Sequence, residues 1–156
     1  MANKTNNKGN RETMITSGLM SSTTPEWETP QDFFDKLNEE FHFDLDVCAT
    51  DENHKCDKYY TKEQDGLKQK WEGRVWCNPP YGRAVKDWVK ACYEYGDAVM
   101  LLPARTDTSW FHDYIYNKAE IRFIRGRLKF GGSKNSAPFP SVVVIYRRSH
   151  EDNNNQ

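Results

Sequence analysis

Residues 98–103, AVMLLP, form an uninterrupted apolar run. A strand with no polar position has no face to offer water, so it belongs in a sheet covered on both sides. Around it, helical and strand patterns alternate. In PQDFFDKLNEEF, Phe33, Phe34, Leu37 and Phe41 mark one helical face. Thr29 is suited to the N-cap of that helix and Pro30 to its first turn. FHFDLDVCA alternates as a strand does, and GRVWC reads as a short strand. In RAVKDWVKACYEYG, Val85, Trp88, Val89 and Cys92 keep helical spacing, and Gly96 is a natural stop. TSWFHDYIYNKA reads as helix and EIRFIRG as strand. RLKFGG and SVVVIYRR suggest a late hairpin or two paired strands, and DENHKCDKYYTKEQDGL reads as loop with a short helix. Alternation of this kind predicts an α/β fold with a mostly parallel sheet flanked by helices and a short antiparallel C-terminal element.

A chain of 156 residues suits one domain, expected over residues 23–150. Residues 1–22 are polar and aperiodic, and residues 151–156 read EDNNNQ; both are expected to be disordered. Net charge is −1, which gives no overall attraction to nucleic acid. The charge is unevenly spread, however. From Ile121 to His150 there is no acidic residue, against Arg122, Arg125, Arg127, Lys129, Lys134, Arg147 and Arg148. Such a segment is either a phosphate-facing surface or a solvated face. The four cysteines form no CxxC pair, and no His spacing completes a zinc set, so no metal is expected. Cys48, Cys77 and Cys92 lie in apolar runs and read as reduced core residues. Neither a signal peptide nor a run of membrane-spanning length is present, and the expected setting is cytoplasmic.

In open α/β sheets ligands bind beyond the C-terminal ends of the strands. DVCA, CNPPY and LLPART all sit at such ends, so one rim gathers three unusual clusters. The middle one, Asn78-Pro79-Pro80-Tyr81, is the most unusual. Proline has a fixed φ and no N–H, and it holds the preceding residue extended. The segment therefore leaves the sheet as a rigid strut. It offers two acceptors, the Asn78 amide oxygen and the Pro79 carbonyl, with the ring of Tyr81 beside them. Two acceptors suit an –NH2 group, and a ring suits a planar amine. The exocyclic amine of adenine meets both requirements. Its lone pair is delocalised, and hydrogen bonds to both its hydrogens would favour a tetrahedral nitrogen. Catalysis would then rest on positioning and electrostatics. A base inside duplex DNA must first be flipped out and held by stacking. Asn-Pro-Pro is also ordinary turn material.

These residues resemble the [DNS]-PP-[YFW] motif of amino-methyltransferases that use S-adenosylmethionine. The wider pattern resembles the phage-type DNA N6-adenine methyltransferases. Four stretches carry the likeness: SSTTPEWETPQDFFDKLNEEFHFDLDVCAT, DGLKQKWEGRVWCNPPYGRAVKDWV, LLPARTDTSWFH, and IRFIRGRLKFGG with APFPS. Together they cover most of residues 21–146. The resemblance implies a Rossmann-like methyltransferase fold, S-adenosylmethionine as donor and DNA as partner. It also implies a role in guarding phage DNA from restriction. Asn78, Pro79, Pro80 and Tyr81 carry over as the catalytic loop. Asp46, with Cys48 and Ala49, takes the place of the acidic first-strand motif that holds the donor. Asp65 in DGL resembles the acidic position facing the donor's adenine, and Thr29 the upstream motif facing its methionine end. One departure is plain: the glycine-rich GxG after the first strand is replaced by DVCATDEN.

Arg105 reaches either a DNA phosphate or an internal partner, and Asp107 or Thr108 caps the next helix. Arg127 and Lys129 are candidates for phosphate contact, and Phe130 for the flipped base or the core. An NPPY loop also serves enzymes acting on RNA adenine or on protein glutamine amides. A non-catalytic DNA-binding protein on the same fold is the alternative from another class. No feature of the sequence assigns a DNA target sequence or an oligomeric state.

Overall fold

A computed structural model describes residues 28–131 and 135–148. Both expected disordered ends, 1–22 and 151–156, lie outside them. Helix α1 (Gln31–Phe41) leads into strand β1 (Leu45–Ala49). Strand β2 (Lys58–Thr61) and a 3-10 turn (Gly66–Lys68) follow. Then come β3 (Val75–Cys77), α2 (Val85–Tyr95), β4 (Ala98–Pro103), α3 (Ser109–Tyr114), β5 (Glu120–Phe123) and β6 (Ser141–Tyr146). The six strands make one sheet in the order β2-β1-β3-β4-β6-β5. Strands β2, β1, β3 and β4 run parallel, and β6 is antiparallel to both β4 and β5.

Period-two alternation in the central strands divides the core between the two faces. Val75, Cys77, Met100, Leu102, Val142 and Val144 pack with Val85, Trp88, Val89 and Cys92 of α2 and with Phe111 of α3. Trp76, Val99, Leu101, Val143 and Ile145 pack on the other face with Phe34, Leu37 and Phe41 of α1. Both faces are covered, which is why β4 and β6 carry no exposed position. Gly96 ends α2 with φ 85°, a left-handed conformation that glycine adopts without strain.

Four sequence expectations change. KYYT is an edge strand, β2, although DENHKCDKYYTKEQDGL read as loop and helix. Its four residues are too few to show a period, and three are half-buried in succession. The described part of RLKFGG, residues 127–131, is not a strand; β6 pairs with β5 instead. The helix in TSWFHDYIYNKA stops at Tyr114. Thr29 does not cap α1, since the cap position is Pro30 and no side chain bonds there. Thr108, by contrast, caps α3 by accepting from the Phe111 N–H at 3.3 Å.

The 3-10 turn lies hard against β1. A Cβ on Gly66 would stand 2.4 Å from the Val47 carbonyl oxygen. Gly66→Ala should therefore destabilise the chain by about 1–3 kcal/mol, measured by urea unfolding. An unchanged midpoint would show that the turn can move off the strand.

Candidate active site

Because β1, β3 and β4 run parallel, their C-terminal ends share one edge of the sheet. The chain moves from β1 outward to β2, then returns to place β3 on the other flank of β1. The crevice between the ends of β1 and β3 is therefore the topological switch point of the sheet. Asn78 follows β3 at this crevice, and Asp46 lies within β1 in register with Trp76. β5 also runs parallel to β4, both being antiparallel to β6, so the segment after Phe123 leaves at the same edge.

Asn78 follows the fully buried β3 directly. Its Nδ2 donates to the Thr29 hydroxyl oxygen at 3.0 Å, across 49 positions of sequence. Its Oδ1 accepts from the Tyr81 hydroxyl at 3.2 Å, and that hydroxyl also leans toward the Leu101 carbonyl at 3.4 Å. Burial pushes the Tyr81 phenol well above its ordinary range, so it stays protonated and donates. The Tyr81 ring meets Phe139 edge-on at 5.4 Å and Phe130 edge-on at 6.4 Å. Pro79 is buried and Pro80 exposed.

Beside this loop lies a cavity of about 420 Å³, lined by Tyr81, Gly82, Pro103, Arg105, Thr108, Trp110, Pro138 and Phe139. Its size and aromatic walls suit a planar base. Phe130, read from the sequence as facing either the flipped base or the core, is 1% exposed and packs with Trp76 and Leu101 beside Tyr81. Phe139 and Trp110 line the cavity and were missed in the sequence, where nothing separates a cavity ring from a core ring. A second cavity, of about 440 Å³, lies by Leu45 and Lys58, the opening residues of β1 and β2, away from this rim.

Asp46 is 3% exposed. Its carboxylate accepts from the backbone N–H of Cys48 at 3.2 Å and of Lys55 at 2.9 Å. Thr50 and Asn53 close the intervening turn, the Thr50 hydroxyl oxygen accepting from the Asn53 N–H at 2.9 Å. Side-chain bonds to the backbone thus shape the loop that glycines would otherwise shape. Ala49 is buried and Cys48 half-buried, its sulfur 3.9 Å from that of Cys77. Asp65 has φ 56° and caps the 3-10 turn through Leu67 N–H at 3.3 Å. Lys55, half-buried beside Asp46, donates to Gln31 at 2.9 Å and adds a cation that no sequence motif announced.

The basic segment divides in two. Arg122 and Arg147 are held by Glu40 and Glu120, and Arg148 lies over the Tyr95 ring. Arg105, Arg127 and Lys129 are exposed, as are Arg83 and Arg125, and none joins an ion pair among the described residues. Among the described residues there is no group of His, Cys, Asp and Glu able to hold a metal ion, and no helix long and apolar enough to cross a membrane.

Burial raises the Asp46 carboxyl from 3.8 to about 6, against the two N–H donors that lower it. The native state thus holds this proton more tightly than the unfolded chain. Its contribution to stability is full below pH 4 and declines as pH rises to about 6. The stability of the protein relative to its Asp46→Asn variant should fall across that window and level off above it. Paired thermal melts at several pH values check this, and a flat difference would contradict it.

The likeness to known proteins agrees with this geometry. The family model described as DNA N-6-adenine-methyltransferase (Dam) matches residues 16–155. A DNA N-6-adenine-methyltransferase of Haemophilus phage HP1 (strain HP1c1) is 34% identical over 146 residues, covering 85% of this chain and 84% of that protein. One of Escherichia phage T1 is 37% identical over 108 residues, covering 65% of this chain. The match spans 45% of the phage T1 protein, less than half its length. With its mostly parallel sheet, its rim and its Asn-Pro-Pro-Tyr loop, the chain belongs to the DNA N-6-adenine-methyltransferase (Dam) family.

Proposed function

We propose that this chain moves a methyl group from S-adenosylmethionine to the N6 amine of adenine in DNA. One observation carries the reading: the Asn78 amide bonds Thr29 on one side and, on the other, Tyr81, whose ring lines an aromatic cavity. When bound, S-adenosylmethionine supplies an electrophilic methyl on a sulfonium. The residues of the rim fit such a donor. Asp46 spends two of about four carboxylate lone pairs on backbone N–H groups and keeps capacity for an amino group. Thr29 accepts from Asn78, and its own proton has no acceptor among the described residues, which leaves it for a carboxylate.

At the other side of the site, Asn78 Oδ1 and the Pro79 carbonyl accept from the two amine hydrogens. Both bonds favour a tetrahedral nitrogen with its lone pair aimed across the crevice. The N–C bond forms as the S–C bond breaks, and one amine proton then leaves to solvent. Positioning supplies the catalysis, and no strong base is required. Tyr81, Phe139 and Trp110 receive the extrahelical base. Arg83, Arg105, Arg125, Arg127 and Lys129 face the phosphates at the same rim.

Labelled methyl from S-adenosylmethionine should appear in unmethylated DNA and not in RNA or bulk protein. Label in RNA or protein alone would move the reading to those substrates, and donor binding without transfer to any of them would favour a non-catalytic role. Asn78→Ala should abolish transfer while calorimetry shows donor affinity largely kept. Tyr81→Ala should weaken use of DNA strongly. Tyr81→Phe keeps the ring and should cost less than about tenfold, the worth of one neutral hydrogen bond. Arg127→Ala should lower the salt slope of DNA binding by about one; an unchanged slope would remove Arg127 from the interface.

A further inference from the structure

We infer that Phe123 is a stacking contact for DNA, laid against the face of a base that extrusion of the target adenine leaves uncovered. The inference rests on the methyl-transfer reading of this site. Phe123 is 68% exposed, the highest value among the large apolar side chains described. A phenylalanine ring so placed has no polar tip to offer water and adds little to the stability of the fold. Its backbone is nonetheless firmly held. Phe123 pairs with Val142 of β6, and the Ile124 N–H donates to the Ser141 carbonyl at 3.2 Å, extending the ladder by one step. Alternation turns Arg122 and Ile124 to the α1 face, where the Arg122 guanidinium lies over the Phe41 ring at 5.6 Å and Ile124 packs beside the core. Ile121 and Phe123 take the other face. Ile121 packs against the core there, while Phe123, at the strand end, meets solvent.

The place of the ring suits DNA. Phe123, Val142 and Leu102 lie in line across β5, β6 and β4. Two strand spacings, roughly 10 Å, separate Phe123 from Leu102. Leu102 directly precedes Pro103 in the wall of the aromatic cavity. The turn after Phe123, at Gly126 with φ 73°, stands clear of the fold, since a Cβ there would meet nothing within 4 Å. Arg125, Arg127 and Lys129 around it are exposed, and no acidic residue lies between Ile121 and His150. A second copy of this chain docking two-fold on this patch would bring the same cations together, which disfavours it. A nucleic acid offers both complements, phosphates for the cations and a flat base for the ring. Flipping a base out removes its stacking from its neighbours. A ring on a rigid strand recovers part of that contact without the entropy cost of ordering a loop.

The probes are two fluorescein-labelled DNA duplexes of one sequence, one intact and one with a one-nucleotide gap that uncovers the faces of the flanking bases. Binding is followed by fluorescence anisotropy at several salt concentrations. The unaltered chain should bind the gapped duplex several-fold tighter than the intact one. Phe123→Ala should bind the gapped duplex about tenfold more weakly and lose the preference. Its salt slope should be unchanged, because no charge is removed. Phe123→Tyr keeps a ring and should recover the preference. Thermal melts of both variants should match the unaltered chain. The inference is overturned by an unaltered chain without preference for the gap, or by Phe123→Ala binding both duplexes as the unaltered chain does. So is it by a dimer, seen in sedimentation, that Phe123→Ala separates into monomers, which would make the ring a contact between copies. With methyl transfer to DNA intact, each of these results leaves the methyl-transfer reading standing. An unaltered chain that binds neither duplex and methylates RNA or protein instead would overturn that reading as well.

Discussion

Two prolines at the end of β3 stop a strand that is buried on both faces from continuing, and the site is built on that stop. Cys77 lies wholly inside the core. One residue later, Asn78 carries a polar side chain at the rim and, with Tyr81, supports a cavity wall. The prolines make the transition abrupt because they contribute no N–H to a ladder and hold the backbone extended. The parallel order of β1, β3 and β4 brings the ends of the other strands to the same edge. Thr29 arrives there from the opposite direction, at the start of α1. A rigid loop, a buried hydroxyl and a buried carboxylate thus converge without any being adjacent in sequence.

Much of this was legible in the chain. Helix α2, strand β4 and the shared rim follow from period and from the uninterrupted run AVMLLP. The NPPY loop announces itself through proline chemistry. The elements that escaped are those held by partners rather than by pattern. Strand β2 has four residues and exists because β1 offers it a ladder. Residues 124–131 and 135–140 follow no repeat and are fixed by bonds such as the Ala137 N–H to the Leu128 carbonyl. The Thr29 side chain illustrates the same limit: local sequence predicts a helix cap, while a contact 49 positions away claims the hydroxyl. Charge was legible only as an inventory. The sequence shows seven cations without an acid between them, but only the fold shows that Glu40 and Glu120 neutralise Arg122 and Arg147.

The loop after β1, the proposed donor side, departs from a glycine-rich design. In DVCATDEN the turn is closed by Thr50 and Asn53, and Asp46 gathers two backbone N–H groups. Burying a carboxylate is costly, and the raised Asp46 carboxyl reports that cost. A cationic amino group in the crevice would offset part of it. On the proposed reading, the loop suits a partner that brings positive charge, and Asn78 one that brings two hydrogens.

The most direct measurement is an experimental structure of the chain with S-adenosylhomocysteine and a DNA duplex containing its target adenine. The account predicts an extrahelical adenine between Tyr81, Phe139 and Trp110, its N6 within hydrogen-bond distance of Asn78 Oδ1 and the Pro79 carbonyl. An adenine bound elsewhere on the chain, or an N6 with no contact to Asn78, would contradict it.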